Sequence, residues 1–83
     1  MYDRERMDQF TDKRGKTVRR GDEVAYVYNQ MTLAVMGVGR VEDITLHKGP
    51  NPWQQGLRIK IRSNANVNAV DEVRNGFNIV KIG

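Results

Sequence analysis

Between positions 57 and 62 the sequence alternates strictly between branched apolar and basic residues, reading Leu-Arg-Ile-Lys-Ile-Arg. A repeat of two residues matches a β-strand, in which successive side chains point to opposite faces. The pattern therefore predicts a half-buried strand with Leu57, Ile59 and Ile61 in the core. The opposite face of that strand is then a row of three positive charges.

Four other segments have the composition of β-strands, and turn-forming residues separate them. These predicted strands cover residues 24–28, 33–46, 67–70 and 77–82. Before the last of them, residues 71–74 suggest one helical turn. The connections include a hairpin loop over 29–32 and a tight turn at Asn75 and Gly76.

Two glycines, Gly37 and Gly39, lie inside the long strand predicted for residues 33–46 and fall on the same face. Glycines inside a strand usually mark a bulge, a sharp bend or the close approach of another backbone. A small closed sheet needs such bends. The pair therefore predicts a bulge or a sharp bend in the middle of this strand, with another backbone passing close to it.

Length and composition limit the fold to one small domain. The 83 residues allow one core, and the absence of cysteine excludes disulfides, thiolate metal sites and a cysteine nucleophile. Five short strands joined by tight turns favour a barrel, because closure removes the exposed edges of a small sheet. The predicted fold is all-β, a five-stranded antiparallel barrel over residues 13–83 with a short helical turn before the last strand. Residues 1–12 are expected to form either a tail or a short helical turn.

Residues 21–82 resemble an SH3-like barrel of the KOW-related kind. Four segments carry the resemblance, namely 21–24, 37–44, 57–61 and 78–82. It implies an SH3-like fold and binding to RNA, to the ribosome or to RNA polymerase. The loop over 47–56 departs from the pattern, being longer than a minimal KOW hairpin. Such a small basic chain also resembles accessory proteins of bacteriophages, which implies the cytoplasm of a bacterial host.

Basic residues are concentrated in two places, although the net charge is only +4. The first set is Lys13, Arg14, Lys16, Arg19 and Arg20, and the second is Arg58, Lys60 and Arg62. Charges two residues apart on a strand are about 7 Å apart, close to the spacing of phosphates along one nucleic-acid strand. Both sets are candidate contacts to nucleic acid. The alternative is a solvated loop and a strand face kept soluble by its charge.

Trp53 and Tyr28 are candidate partner-binding residues. Trp53 is the only tryptophan. On an exposed loop it would stack on a base or fill a partner's pocket, and otherwise it would fold back as a lid on the core. Tyr26 and Tyr28 share a strand face, and at least one belongs in the core. The other could line a cleft beside the loops, where SH3-like barrels commonly bind ligands.

Little in the sequence points to catalysis. His47 is the single histidine and has no second metal ligand or nucleophile at a recognisable spacing, so a surface histidine is expected. Adjacent acids such as Glu42 and Asp43 point to opposite faces of a strand and cannot easily share a proton or a metal. We therefore expect no enzyme, no cofactor and no metal site.

These observations favour a non-enzymatic binding module. Its expected partner is RNA, DNA or a bacterial nucleoprotein machine, bound through the basic residues. The alternative is a protein-interaction module, such as a phage-encoded modulator of a host protein or a virion component, anchored by Trp53. Self-association of the barrel is a third hypothesis. The polar N-terminus and the lack of a long apolar run predict no membrane contact and a cytoplasmic location.

Overall fold

β-Strands form nearly all the regular structure of the described residues. The computed structural model describes residues 3–30, 33–74 and 78–82, with residues 28–30, 33 and 35 described for the backbone alone. The strands are β1 (Asp3–Arg6), β2 (Gln9–Thr11), β3 (Thr17–Arg19), β4 (Glu23–Gln30), β5 (Leu33–Lys48), β6 (Gln55–Ser63), β7 (Val70–Arg74) and β8 (Ile79–Lys81). The all-β prediction is confirmed, although the described residues form eight strands where the sequence predicted five. These residues include no helix with the length and apolar character needed to cross a membrane.

Six of the strands form one antiparallel sheet in the order β7-β6-β5-β4-β8, with β1 also paired to β5. The 16-residue β5 is its centre. It pairs with β4 over its first half, with β6 over its second half and with β1 near its end. A bulge between Val41 and Asp43 bends β5 where its partners change. β2 and β3 form a separate hairpin.

Alternation along the strands buries one face of the sheet. The buried apolar residues are Phe10, Val18, Val24, Tyr26, Val41, Ile44, Ile59, Ile61, Val73 and Ile79. Ile59 and Ile61 lie in this core as predicted, while Leu57 is only partly buried and packs against it. The period of two therefore identified the core face of β6 correctly.

Another backbone passes close to β5 at Gly39, as expected, and we call this contact the close crossing of β5 and β6; the bulge lies further along, between Val41 and Asp43. A Cβ atom at this position would lie 2.2 Å from the carbonyl oxygen of Arg62 on β6, far inside van der Waals contact. Gly39 pairs with residues of both β4 and β6, so the two neighbouring strands overlap here. At Gly37 the close neighbour is a side chain, since a Cβ there would lie 2.9 Å from the ring of Tyr26.

A buried carboxylate fastens the β2–β3 hairpin to β8. Asp12 accepts hydrogen bonds from two amides of its own turn and from the amide of Lys81, each at 2.8 Å. Burial raises the pKa of Asp12, but these hydrogen bonds and the charge of Lys16 outweigh burial and hold that pKa below its usual value. The hairpin is thereby held over the sheet, where Phe10 and Val18 join the core.

Two predictions of helical or irregular structure were wrong. Residues 1–12, expected to be a tail or a helical turn, contribute β1 and β2. All four side chains of β1 are exposed, so no apolar pattern marked it as a strand. Residues 71–74 belong to β7 and not to a helical turn, because Val73 is buried opposite Ile59 of β6.

Some strand boundaries also differ from the predicted ones. The strand predicted over 67–70 begins only at Val70. Residues 29 and 30, predicted to belong to a hairpin loop over 29–32, belong to β4, and residues 31 and 32 lie outside the described residues. The predicted tight turn and the start of the last predicted strand, residues 75–77, lie outside the described residues.

Replacing Gly39 by alanine will destabilise the fold, because the added methyl group meets the backbone of β6, which cannot move without loss of strand pairing. We expect Gly39→Ala to lower the free energy of unfolding in urea by about 3 kcal/mol. Gly15→Ala is the control. Gly15 has a φ of 82° but nothing within 4 Å of an added Cβ, so only a backbone penalty of about 1 kcal/mol applies. Equal losses for the two variants would contradict the close crossing.

Candidate functional site

Strand register aligns side chains on the outer side of β1, β5, β6 and β7. Residues that are paired across antiparallel strands point to the same face, so the register determines which side chains are neighbours. Arg6 lies opposite Thr45, Thr45 lies opposite Arg58, and Arg58 lies opposite Arg74. One line of side chains therefore crosses four strands on the face opposite the core.

Two further lines lie on the same face. The first contains Asp43, Lys60 and Glu72, and the second contains Arg40, Arg62 and Val70. We call this surface the outer cationic face; among the described residues it carries seven basic side chains against three acidic ones. The basic residues are Arg4, Arg6, Arg40, Arg58, Lys60, Arg62 and Arg74, and the acidic ones are Glu42, Asp43 and Glu72.

A groove of about 430 Å³ lies within the outer cationic face. It is lined by Arg4, Arg6, Asp43, Thr45, His47, Arg58, Lys60 and Glu72. These residues come from all four strands, and half of them are basic. The fold thus brings together, in one groove, residues that are as far apart in the sequence as Arg4 and Glu72.

Acidic side chains moderate the positive charge of the groove. A guanidinium nitrogen of Arg6 lies 3.5 Å from a carboxylate oxygen of Asp43, and the same distance separates Arg58 from Glu72. Register places Lys60 between the same two acids. Ion pairs of this length on a solvent-facing surface contribute at most about 1 kcal/mol each. The two arginines can therefore exchange these partners for an anionic ligand.

Two pairs of arginines face each other directly on this surface. Arg58 lies opposite Arg74, and Arg40 lies opposite Arg62. Like charges directly opposite each other destabilise a sheet. Neighbouring carboxylates offset part of this repulsion, and an anion bound between the guanidinium groups would offset more of it.

His47 lines the groove but is only 8% exposed, so the expectation of a surface histidine was wrong. It lies opposite Arg4 on one neighbouring strand and Gly56 on the other. Burial lowers the pKa of His47, and the charges of Arg58 and Arg4 lower it further, against a smaller opposing effect of Glu72. The imidazole is therefore neutral at neutral pH.

Three residues of the first basic set lie in the turn of the β2–β3 hairpin, which contacts β8. Lys13, Arg14 and Lys16 surround the tip of the β2–β3 hairpin, where the amide of Lys13 donates to the carbonyl of Ile79 on β8 at 3.0 Å. In the sheet order β8 is the third strand along from β6. The hairpin turn therefore lies beside β8, whereas Arg58, Lys60 and Arg62 lie on β6.

Arg19 and Arg20, the other members of the first set, contact the N-terminal segment. Arg19 Nε donates to Oε1 of Gln9 at 3.3 Å. The guanidinium of Arg20 donates to the carbonyl of Met7 at 3.3 Å and to the carboxylate of Asp8 at 3.1 Å. Both side chains thus help to hold the N-terminal segment against β3.

Trp53 is 65% exposed, so the alternative of a lid on the core was wrong. It lies on a 3-10 turn over Pro52–Gln54, just before β6. Arg58 Nη2 donates a hydrogen bond to the carbonyl oxygen of Trp53 at 2.9 Å, which places the turn beside the outer cationic face. Tyr26 is a core tyrosine, whereas the side chain of Tyr28 lies outside the described residues.

Sequence reasoning missed four basic residues of the outer cationic face, namely Arg4, Arg6, Arg40 and Arg74. No local motif marks them, because it is the register across four strands that brings them to the same face as Arg58, Lys60 and Arg62. The one available signal is the spacing of Arg4 and Arg6, which puts both on one face if their segment is a strand.

Comparison with models of protein families, with curated proteins and with solved structures finds no match to this chain. Within residues 3–30, 33–74 and 78–82, no group of three or more histidine, cysteine, aspartate or glutamate side chains is placed to hold a metal ion.

The pKa of His47 will lie below 6.5, the value of an unperturbed histidine. Because the folded value is lower than the unfolded one, this group removes stability as the pH falls below 6.5. His47 is the only histidine, so proton NMR will follow its imidazole resonance through the titration without ambiguity. Arg58→Gln removes a neighbouring positive charge and will raise the midpoint. A wild-type midpoint at or above 6.5 would contradict the buried, cationic surroundings.

Proposed function

We propose that the chain is a non-enzymatic module that binds nucleic acid through the outer cationic face. The observation that carries the proposal is the register, which collects basic residues from four strands on one surface. The proposal places the phosphate contacts on this face. It gives Arg58, Lys60 and Arg62 the role expected from the sequence and adds the arginines of β1, β5 and β7.

The dimensions of the sheet suit a phosphate backbone. Neighbouring strands lie about 4.8 Å apart, and side chains on one face repeat about every 7 Å along a strand. Guanidinium groups on such a grid can each grip two phosphate oxygens. The arginines that face each other, Arg58 with Arg74 and Arg40 with Arg62, are then bridged by negative charge and no longer repel.

Within this proposal the sheet closes as an SH3-like barrel of the KOW-related kind. One hydrogen bond supports closure: the hydroxyl of Tyr26 on β4 donates to the carboxylate of Asp71 on β7 at 2.7 Å, although β5 and β6 lie between these strands in the sheet. The resemblance makes RNA, the ribosome or RNA polymerase the expected class of partner. With such a partner the protein would act in the cytoplasm of a bacterium, which would be the host cell if a phage encodes the protein.

Fluorescence anisotropy with labelled RNA and DNA at low salt tests the proposal. The logarithm of the affinity will fall linearly with the logarithm of salt concentration, with a slope of about −0.7 to −0.9 per phosphate contacted. Arg74→Ala and Arg40→Ala will each weaken binding about fivefold and reduce that slope by about one contact. The same loss is expected on every sequence, because phosphates carry no sequence information.

Arg14→Ala is the matched control, because it removes one arginine from the hairpin turn and none from the outer cationic face. Its affinity should equal that of the wild type. An equal loss in Arg14→Ala would move the binding surface to the hairpin. No affinity for any RNA or DNA at low salt would refute the function.

A protein partner is the second candidate function. The observation that favours it is a groove of about 530 Å³ on β4 and β5, bordered by Met36, which is 76% exposed, and Val38, which is 41% exposed. Exposed apolar patches mark many protein–protein contacts. If this function holds, a partner will be retained from nuclease-treated bacterial lysate, and Met36→Asp will release it. Retention that depends on intact nucleic acid would contradict this alternative.

A further inference from the structure

We propose that the nucleic acid bound is single-stranded and that one of its bases stacks on the indole of Trp53. This inference rests on the proposed function and names its substrate class. Three observations carry it: the exposure of Trp53, the rigid turn that presents it, and its direct connection to Arg58.

The turn that carries Trp53 is held by hydrogen bonds on both sides. The amide of Gln54 donates to the carbonyl of Asn51 at 2.9 Å, and the amide of Gly49 donates to the carbonyl of Gln54 at 2.9 Å. The side chains of Asn51 and Gln54 are also joined at 3.0 Å. Gly49 packs so closely that a Cβ there would lie 2.3 Å from Cβ of Gln54. The indole is thus displayed from an ordered turn and is still 65% exposed.

Arg58 joins this turn to the outer cationic face. Its Nη2 donates to the carbonyl of Trp53 at 2.9 Å, while its Nη1 lies 3.5 Å from Glu72 in the groove. The side chain of Arg58 is only 21% exposed and lies between the turn and the groove. An aromatic platform therefore lies at the edge of a phosphate-binding surface, and one strand of nucleic acid can reach both.

This combination selects single strands for a steric reason. In a duplex the base faces are already stacked on one another, and an indole reaches them only by unstacking the helix. In a single strand the base faces are open, and stacking on an aromatic side chain adds to the phosphate contacts regardless of sequence. Neighbouring nucleotides of one nucleic-acid strand can then place their phosphates along β6 and a base on Trp53.

The intrinsic fluorescence of Trp53 provides the test, because it is the only tryptophan. The probes are a thymidine oligomer of about twelve nucleotides, within the range that a small β-barrel covers, and a mixed-sequence duplex of equal length. We expect quenching by the single strand, which also binds at least tenfold more tightly than the duplex. The matching uridine oligomer tests whether RNA behaves in the same way.

Three variants separate stacking from charge. Trp53→Ala will weaken single-strand binding about tenfold and leave duplex binding unchanged, as measured by anisotropy with labelled oligomers. Trp53→Phe retains an aromatic face and will recover most of the loss. Met36→Ala is the control, since it also truncates an exposed apolar side chain, but on a different groove, and it will bind like the wild type.

The outcomes distinguish this inference from the proposed function. Duplex binding as tight as single-strand binding, or a Trp53→Ala variant that binds the single strand like the wild type, overturns the inference and leaves a cationic phosphate-binding face. Absence of binding to all probes at low salt overturns both. Preference for the single strand, with loss in Trp53→Ala and recovery in Trp53→Phe, supports the stacking site.

Discussion

The close crossing of β5 and β6 at Gly39 is the contact on which the rest of the structure depends. Only a residue without a side chain allows the carbonyl of Arg62 to pass there. Because of it, β5 can pair with β4 on one side and begin pairing with β6 on the other within the same two residues. The bulge that follows then turns the second half of β5 towards β1 and β6. One long strand thereby organises most of the sheet.

The outer cationic face is a consequence of that arrangement. Because β5 pairs with β1 on one edge and β6 on the other, arginines from the beginning and the end of the chain become neighbours across the sheet. Because the opposite face of the sheet is buried in the core, these charged side chains point to solvent. The modest net charge of +4 therefore understates the local positive charge of the outer cationic face. Basic residues outnumber acidic ones on this face. Its acidic side chains pair with some of the arginines and reduce the positive charge without removing it.

Sequence reasoning succeeded where a side-chain pattern is local. The period of two located Ile59 and Ile61 in the core, and the glycine rule located the crossing at Gly39. It failed for β1, whose exposed side chains carry no apolar signal and which is held by pairing with β5. It also missed four of the seven basic residues of the outer cationic face, because register between distant strands is a property of the whole sheet. The exposure of Trp53 depended on loop hydrogen bonds that no spacing encodes.

The central claim is that ligand and protein meet on the outer side of β1, β5, β6 and β7. An NMR titration with a short oligonucleotide, followed at the backbone amides and at the indole N–H of Trp53, tests it most directly, since every region of the chain reports at once. The account predicts that the largest shifts fall on β1, the second half of β5, β6, β7 and the indole N–H of Trp53. Shifts concentrated in the hairpin turn over residues 13–16, or around Met36, would contradict it.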